Sequence, residues 1–94
     1  MIKIVRSGEY TQNLLEISDN QLLDKVQYQV NLFIVNTEDT RLRSHALRKR
    51  MKGKFAFSIT SDVRIVYEWL GKNTVRFLAI GGHKKVYAKN KEIE

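Results

Sequence analysis

Three short runs between Phe55 and Ile80 alternate apolar and polar residues. Period-two alternation between turn residues predicts β-strands joined as hairpins. Phe55, Phe57 and Ile59 share one face of the first run. In the second, Val63, Ile65, Tyr67 and Trp69 alternate with Arg64, Val66, Glu68 and Leu70. In the third, Phe77 and Ala79 alternate with Leu78 and Ile80. Thr60-Ser61-Asp62 and Gly71-Lys72-Asn73 supply the turns. One apolar and one mixed face suit the second run to an inner strand, with helices over one side and part of a cleft on the other. The third run leads into Gly81-Gly82, where a backbone without Cβ atoms can approach a bound group closely.

Before these runs the period changes. Ile2 and Ile4 alternate with Lys3 in a predicted first strand, Met1 to Arg6. Ser7 is a candidate N-cap and Glu9 suits a first helical turn, giving a short helix from about Gly8 to Ile17 with Tyr10, Leu14 and Ile17 on one side. Ser18 to Gln21 has the S-x-x-Q form of a capping box. Beyond it Leu22, Val26, Val30, Phe33 and Ile34 recur at helical spacing, with Leu23 and Tyr28 widening the apolar face, and no Pro or Gly intervenes. Arg41 to Lys54 reads as a loop with one helical turn, pinned by Leu42, Ala46, Leu47 and Met51. The expectation is an α+β fold: an N-terminal strand and a two-helix hairpin packed on a small antiparallel sheet, in the order β-α-α-β-β-β, as a single domain over residues 1–94.

Charge adds a direction to this picture. The chain carries 17 Lys and Arg against 10 Asp and Glu, a net +7. Residues 1–40 hold three basic and six acidic residues, whereas residues 41–94 hold fourteen basic and four acidic, a balance of +10. A cationic half that also carries the strands attracts polyanions, of which nucleic acid is the commonest in a cytosol. The absence of cysteine removes disulfides, thiolate nucleophiles and cysteine-rich zinc sites. It fits a cytoplasmic protein, and no apolar run reaches membrane-spanning length, so no membrane partner is expected.

Few residue types remain for chemistry. His45 and His83 are the two histidines. Neither has a carboxylate or second histidine at metal-ligand spacing, so no metal or other cofactor is expected. An imidazole titrates near neutral pH and suits proton transfer. Arg64, in a strand among apolar residues, needs a partner; Asp62 or Glu68 could supply it, or the guanidinium could serve as a fixed fork for a phosphate. Tyr87 could close the strand edge, stack on a base or move a proton. Arg48, Lys49, Arg50, Lys52 and Lys54, with Lys84 and Lys85, form either a solvated connector and tail or contacts to an RNA backbone. Together these types fit RNA cleavage without a metal. The substrate 2′-hydroxyl attacks the adjacent phosphorus, one group removes its proton, another protonates the leaving 5′-oxygen, and a cation stabilises the phosphorane.

Three motifs point to a family. DVRIVY (Asp62 to Tyr67), IGGHKKVY (Ile80 to Tyr87) and SHALRKRMKGKF (Ser44 to Phe55) resemble strand, C-terminal and connector segments of the RelE/ParE toxin superfamily of bacterial toxin–antitoxin modules. The resemblance covers nearly the whole chain. Its His-bearing ending is similar to that of YafQ-like and RelE-like mRNA interferases, which cut mRNA in the ribosomal A site. His45, Asp62, His83 and Tyr87 match YafQ-type site positions, and Arg64 and Tyr87 match RelE-type ones. Ser58 stands where YafQ-like members have another histidine, and Phe55 and Phe57 stand near RelE-like lysines. The resemblance thus implies a ribosome-dependent mRNA endonuclease. His83 would be the general acid, His45 or Tyr87 the base, Arg64 the phosphate ligand and Asp62 an orienting group. It also implies a cognate antitoxin bound in a hetero-oligomer. A ParE-like inhibitor of DNA gyrase, or an antitoxin-binding homologue with weakened catalysis, are the alternatives within the same superfamily.

Overall fold

The structure, a computed structural model, describes residues 1–82 and Val86. The expectations for His83, Lys84, Lys85, Tyr87 and the polar tail lie outside the described residues. Strand β1 (Lys3–Arg6) leads into helices α1 (Gly8–Leu15) and α2 (Asn20–Val35), and the connector follows with β2 (His45–Ala46). Strands β3 (Lys54–Ser58), β4 (Val63–Trp69) and β5 (Thr74–Gly82) complete a five-stranded sheet in the order β1-β5-β4-β3-β2. The α+β class and the order of the predicted elements are as expected. The sheet, however, is mixed, because β1 joins β5 in parallel register, Lys3 beside Thr74 through Arg6 beside Phe77. Hairpin turns impose antiparallel pairing on neighbours in sequence, whereas β1 meets its partner only after the helices have crossed over, and no local pattern sets that direction.

Both helix starts follow from capping chemistry. Ser7 Oγ accepts from Tyr10 N at 3.0 Å and donates to the Leu78 carbonyl at 2.9 Å, so one hydroxyl caps α1 and ties it to β5. The cap of α2 is Asp19 rather than Ser18: its Oδ1 accepts from Gln21 N and Leu22 N at 2.9 and 3.3 Å. A carboxylate there also meets the positive end of the helix dipole, which favours this start one residue later than the S-x-x-Q spacing suggests.

Phe33 of α2 lies at the centre of the core, with its ring 4.7 Å from Phe57, 4.9 Å from Tyr67 and 5.8 Å from Phe77. Val26 is buried beside it, and Leu22 and Val30 pack against the same cluster. Tyr28 does not widen this face; it is exposed, and its hydroxyl accepts from Arg41 Nη1 at 3.4 Å. Polar Gln29 is buried instead, donating from Nε2 to the carbonyls of Ser58 at 2.9 Å and Arg41 at 3.4 Å. A buried amide with both donor bonds made is tolerated where an unpaired one is not.

A bulge breaks the alternation of β5. Val66 pairs with Ala79 but Tyr67 pairs with Phe77, leaving Leu78 over. Phe77 and Ile80 therefore both enter the helix-side core, while Leu78 packs on the opposite face. Next to the bulge the buried Asn13 Oδ1 accepts from Ile80 N at 3.1 Å. Asn13→Ala leaves that buried N–H unsatisfied and is expected to lower unfolding free energy by about 1–3 kcal/mol, read by urea denaturation. An unchanged midpoint would show that water replaces the amide at no cost.

The basic connector is more ordered than a loop with one helical turn. Two 3₁₀ turns, Thr40–Leu42 and Lys49–Met51, flank β2, which pairs with β3 as His45 beside Ala56 and Ala46 beside Phe55. Arg43 and Lys49 take left-handed backbone conformations at φ 52° and 56°. Leu42 and Leu47 are buried and Met51 is half-buried, as their apolar character predicts, but Ala46 is exposed. A two-residue strand has no periodicity to read; its partner strand supplies the pattern. At the first turn Asp39 binds Arg41 through 2.8 and 3.0 Å hydrogen bonds. Hydrogen bonds from the Arg41 side chain and then its backbone hold the Asp39 carboxyl at about 2, down from an ordinary 3.8. Stability drawn from this contact is therefore complete above the unfolded carboxyl's value and lost as pH falls through the folded one. An NMR titration should find Asp39 at about 2, and Arg41→Ala, which removes the side-chain bonds but keeps the backbone N–H, should raise it part of the way toward 3.8.

Candidate active face

The sheet has a helix side and an outer side. Strand alternation puts Lys54, Ala56 and Ser58 of β3 and Arg64, Val66 and Glu68 of β4 on the outer side. A second, smaller cluster forms there from Leu47, Ala56 and Val66, with Met51, Leu78 and Val86 packed against it. Leu47 and Met51 thus fasten the basic connector onto the outer face, next to the strand that carries Arg64. Arg48, Lys49, Arg50 and Lys52 are exposed around these anchors.

Arg64 stands opposite Ser58 on one side and Gly81 on the other. Its Nη1 donates to Ser58 Oγ at 3.2 Å. Glu68, one of its expected partners, is instead held by Arg76 at 3.2 Å, and Lys54 lies across from it on β3. The hydrogen bond that Arg64 makes among the described residues goes to a neutral hydroxyl, which orients the guanidinium. Gln29 holds the Ser58 carbonyl from the helix side, so the backbone that presents this hydroxyl is braced through the sheet.

The glycines at the end of β5 are strand rather than loop, with Gly81 beside Arg64 and Gly82 beside Val63. The close approach they permit is made by Asp62, since a Cβ on Gly82 would come within 2.9 Å of Asp62 Oδ2. The turn that carries Asp62 is pinned by Thr60 Oγ1, which accepts from Asp62 N at 3.2 Å and Val63 N at 3.0 Å.

His45 is exposed at the sheet edge, and its pairing with Ala56 sets it two strands across and two residues along from Arg64, a Cα separation of about 12 Å. Its Nδ1 lies 3.3 Å from the Arg43 carbonyl. When Nδ1 carries the proton in that contact, Nε2 is left as the basic nitrogen. Tyr67, on the helix side, is no base at neutral pH: burial pushes its phenol up, only partly countered by a hydrogen bond with Ser44. The described residues thus bring Arg64, Ser58 and the basic connector onto one face, with His45 at its margin and Asp62 at the strand end. Gln29 and Ser44 carried no sequence signal of this role, and Ser58 was marked only by the family position it occupies, because their parts depend on strand register.

Two helices on one side of this five-stranded mixed sheet define the fold of the RelE/YafQ-like toxins. No protein-family model matches the chain, and no curated protein matches its sequence. Among solved structures, it is similar to YafQ from E. coli strain BL21(DE3), with a TM-score of 0.78 and 21% identity over 93% of this chain and 99% of that one. It is also similar to the YoeB/ParE toxin from Agrobacterium tumefaciens, with a TM-score of 0.74 and 16% identity over 87% and 99% of the two chains. In the E. coli DinJ–YafQ toxin–antitoxin complex the matched chain gives a TM-score of 0.72 and 23% identity over 92% and 97%. At these identities the likeness is one of fold.

Proposed function

We propose that this protein is the toxin of a toxin–antitoxin pair and that it cuts mRNA on the ribosome by 2′-hydroxyl attack. The observation that carries this reading is the outer face, where an Arg64 oriented, among the described residues, by the neutral Ser58 hydroxyl adjoins a basic connector anchored by Leu47 and Met51. The fold shared with YafQ supports the reading, and so does the DinJ–YafQ complex, as the precedent for an antitoxin partner.

In this mechanism His45 Nε2 removes the proton from the 2′-hydroxyl, with Tyr87 the rival for that role. The alkoxide attacks phosphorus as the P–O5′ bond breaks. Arg64 stabilises the charge that builds on the non-bridging oxygens, and His83 protonates the leaving 5′-oxygen. Asp62 orients a neighbouring group. Arg48, Lys49, Arg50, Lys52, Lys54, Lys84 and Lys85 hold the flanking phosphates. The protein acts in the cytoplasm, and the antitoxin covers the basic face with an acidic or amphipathic segment.

Expression in a host without the antitoxin should arrest growth with loss of translated message, and His83→Ala should relieve the arrest. Intact message with accumulating DNA damage would overturn the nuclease reading in favour of gyrase inhibition. Stable antitoxin binding without arrest would indicate a homologue whose catalysis has been lost.

A further inference from the structure

A concavity lies at the β2 edge of the sheet, a cleft of about 560 Å³ between the segment after α2, the first 3₁₀ turn and strands β2 to β4. Its floor is aromatic. Phe55 and Tyr67 stack side by side across β3 and β4, ring centres 5.6 Å apart and planes 24° from parallel. Trp69 continues this surface and is 37% exposed, an unusual state for a tryptophan pointing to the same side as the core. The lining also carries both signs of charge, from Glu38 and Asp39 and from Arg43, with His45 beside them.

The two carboxylates differ. Both oxygens of Asp39 are engaged by Arg41. Glu38 is exposed, and among the described residues its hydrogen bond is made by its backbone N–H to Asn36 Oδ1, at 3.0 Å, leaving the carboxylate to accept from a ligand. An aromatic floor favours a planar ring that can stack on it, and every nucleobase has such a face. A free carboxylate at the edge selects a ring that presents N–H donors, as the exocyclic amino groups of adenine, cytosine and guanine do. Uracil offers one N–H between two carbonyl oxygens, which a carboxylate repels. Arg43, held with positive φ on the same rim, supplies a cation for the attached phosphate. The volume falls within the range of small-molecule sites.

We propose that this cleft binds an amino-bearing nucleobase of the RNA strand beside the cut phosphate, so that stacking on Phe55 and Trp69 and a hydrogen bond to Glu38 set a base preference. This rests on the RNA-cleaving reading above. His45 belongs to both sites, standing at the margin of the active face and on the rim of the cleft, so a strand crossing the β2 edge runs from one to the other.

Trp69 is the only tryptophan of the chain, so its indole N–H resonance is a built-in reporter. Titration of the purified protein with AMP, CMP, GMP and UMP should shift that resonance, with the three amino-bearing nucleotides bound roughly tenfold more tightly than UMP. Glu38→Gln, an exposed change, should weaken the three and, by removing the repulsion of the uracil carbonyls, strengthen UMP, so that the four affinities converge. Equal affinity for all four, an indifferent Glu38→Gln variant, or an indole that responds only to a partner peptide would overturn the proposal. Cleavage measured on the same preparation separates the two ideas. Cutting with a silent indole refutes the base pocket alone, and a responsive indole without cutting refutes the nuclease alone.

Discussion

Arg64→Ala should lower message cleavage by about 10²–10³-fold while the protein stays folded, because it removes one preorganised charge from the position where the phosphorane forms. The guanidinium is partly exposed, and its one hydrogen bond among the described residues is to Ser58 Oγ, so little packing is lost with it. Arg64→Lys keeps the charge but loses the planar fork and should fall between the two. Ser58→Ala, which frees the guanidinium without removing it, should cost less than Arg64→Lys. Single-turnover cleavage rates with a thermal melt on each variant check the series. Wild-type cutting by Arg64→Ala would move the phosphate site elsewhere on the molecule.

Phe33→Ala should lower unfolding free energy by about 3–5 kcal/mol. Phe33 has no exposed surface, and three other core rings come within 5.8 Å of its centre. The cavity would open between α2 and three strands at once, where Phe57, Tyr67 and Phe77 are fixed by sheet pairing and cannot collapse into it. Small domains have little more stability than this to lose, so partial unfolding at room temperature is the expected appearance. Urea denaturation monitored by far-UV circular dichroism measures it, and a loss below about 1 kcal/mol would mean that the helix layer repacks freely.

What could be read in advance follows from where each signal is stored. Ser7, the stripe from Leu22 to Phe33 and the three alternating runs are local patterns, and each became the expected cap, helix or strand. The direction of β1, the two-residue β2 and the bulge at Leu78 arise from partners distant in sequence. The same distinction divides the site. Arg64 stood out as a charge in an apolar strand, but its hydrogen bond among the described residues goes to Ser58, six residues back and directly opposite across the β3–β4 hairpin. Gln29, a polar residue within the apolar helix stretch, is the brace behind Ser58. The aromatic cleft was hidden because Phe55, Tyr67 and Trp69 each read as ordinary core positions until Glu38 and His45 were found on the same rim.

The most direct test of the central claim is end-group analysis of a translated message, run beside a copy carrying a single 2′-deoxynucleotide at the cut position. Attack by the 2′-hydroxyl predicts a 5′-hydroxyl on the downstream fragment, a 2′,3′-cyclic or 3′-phosphate on the upstream one, and no cutting of the deoxy-substituted message at that bond. A 5′-phosphate end, or undiminished cutting at the deoxy position, would contradict it.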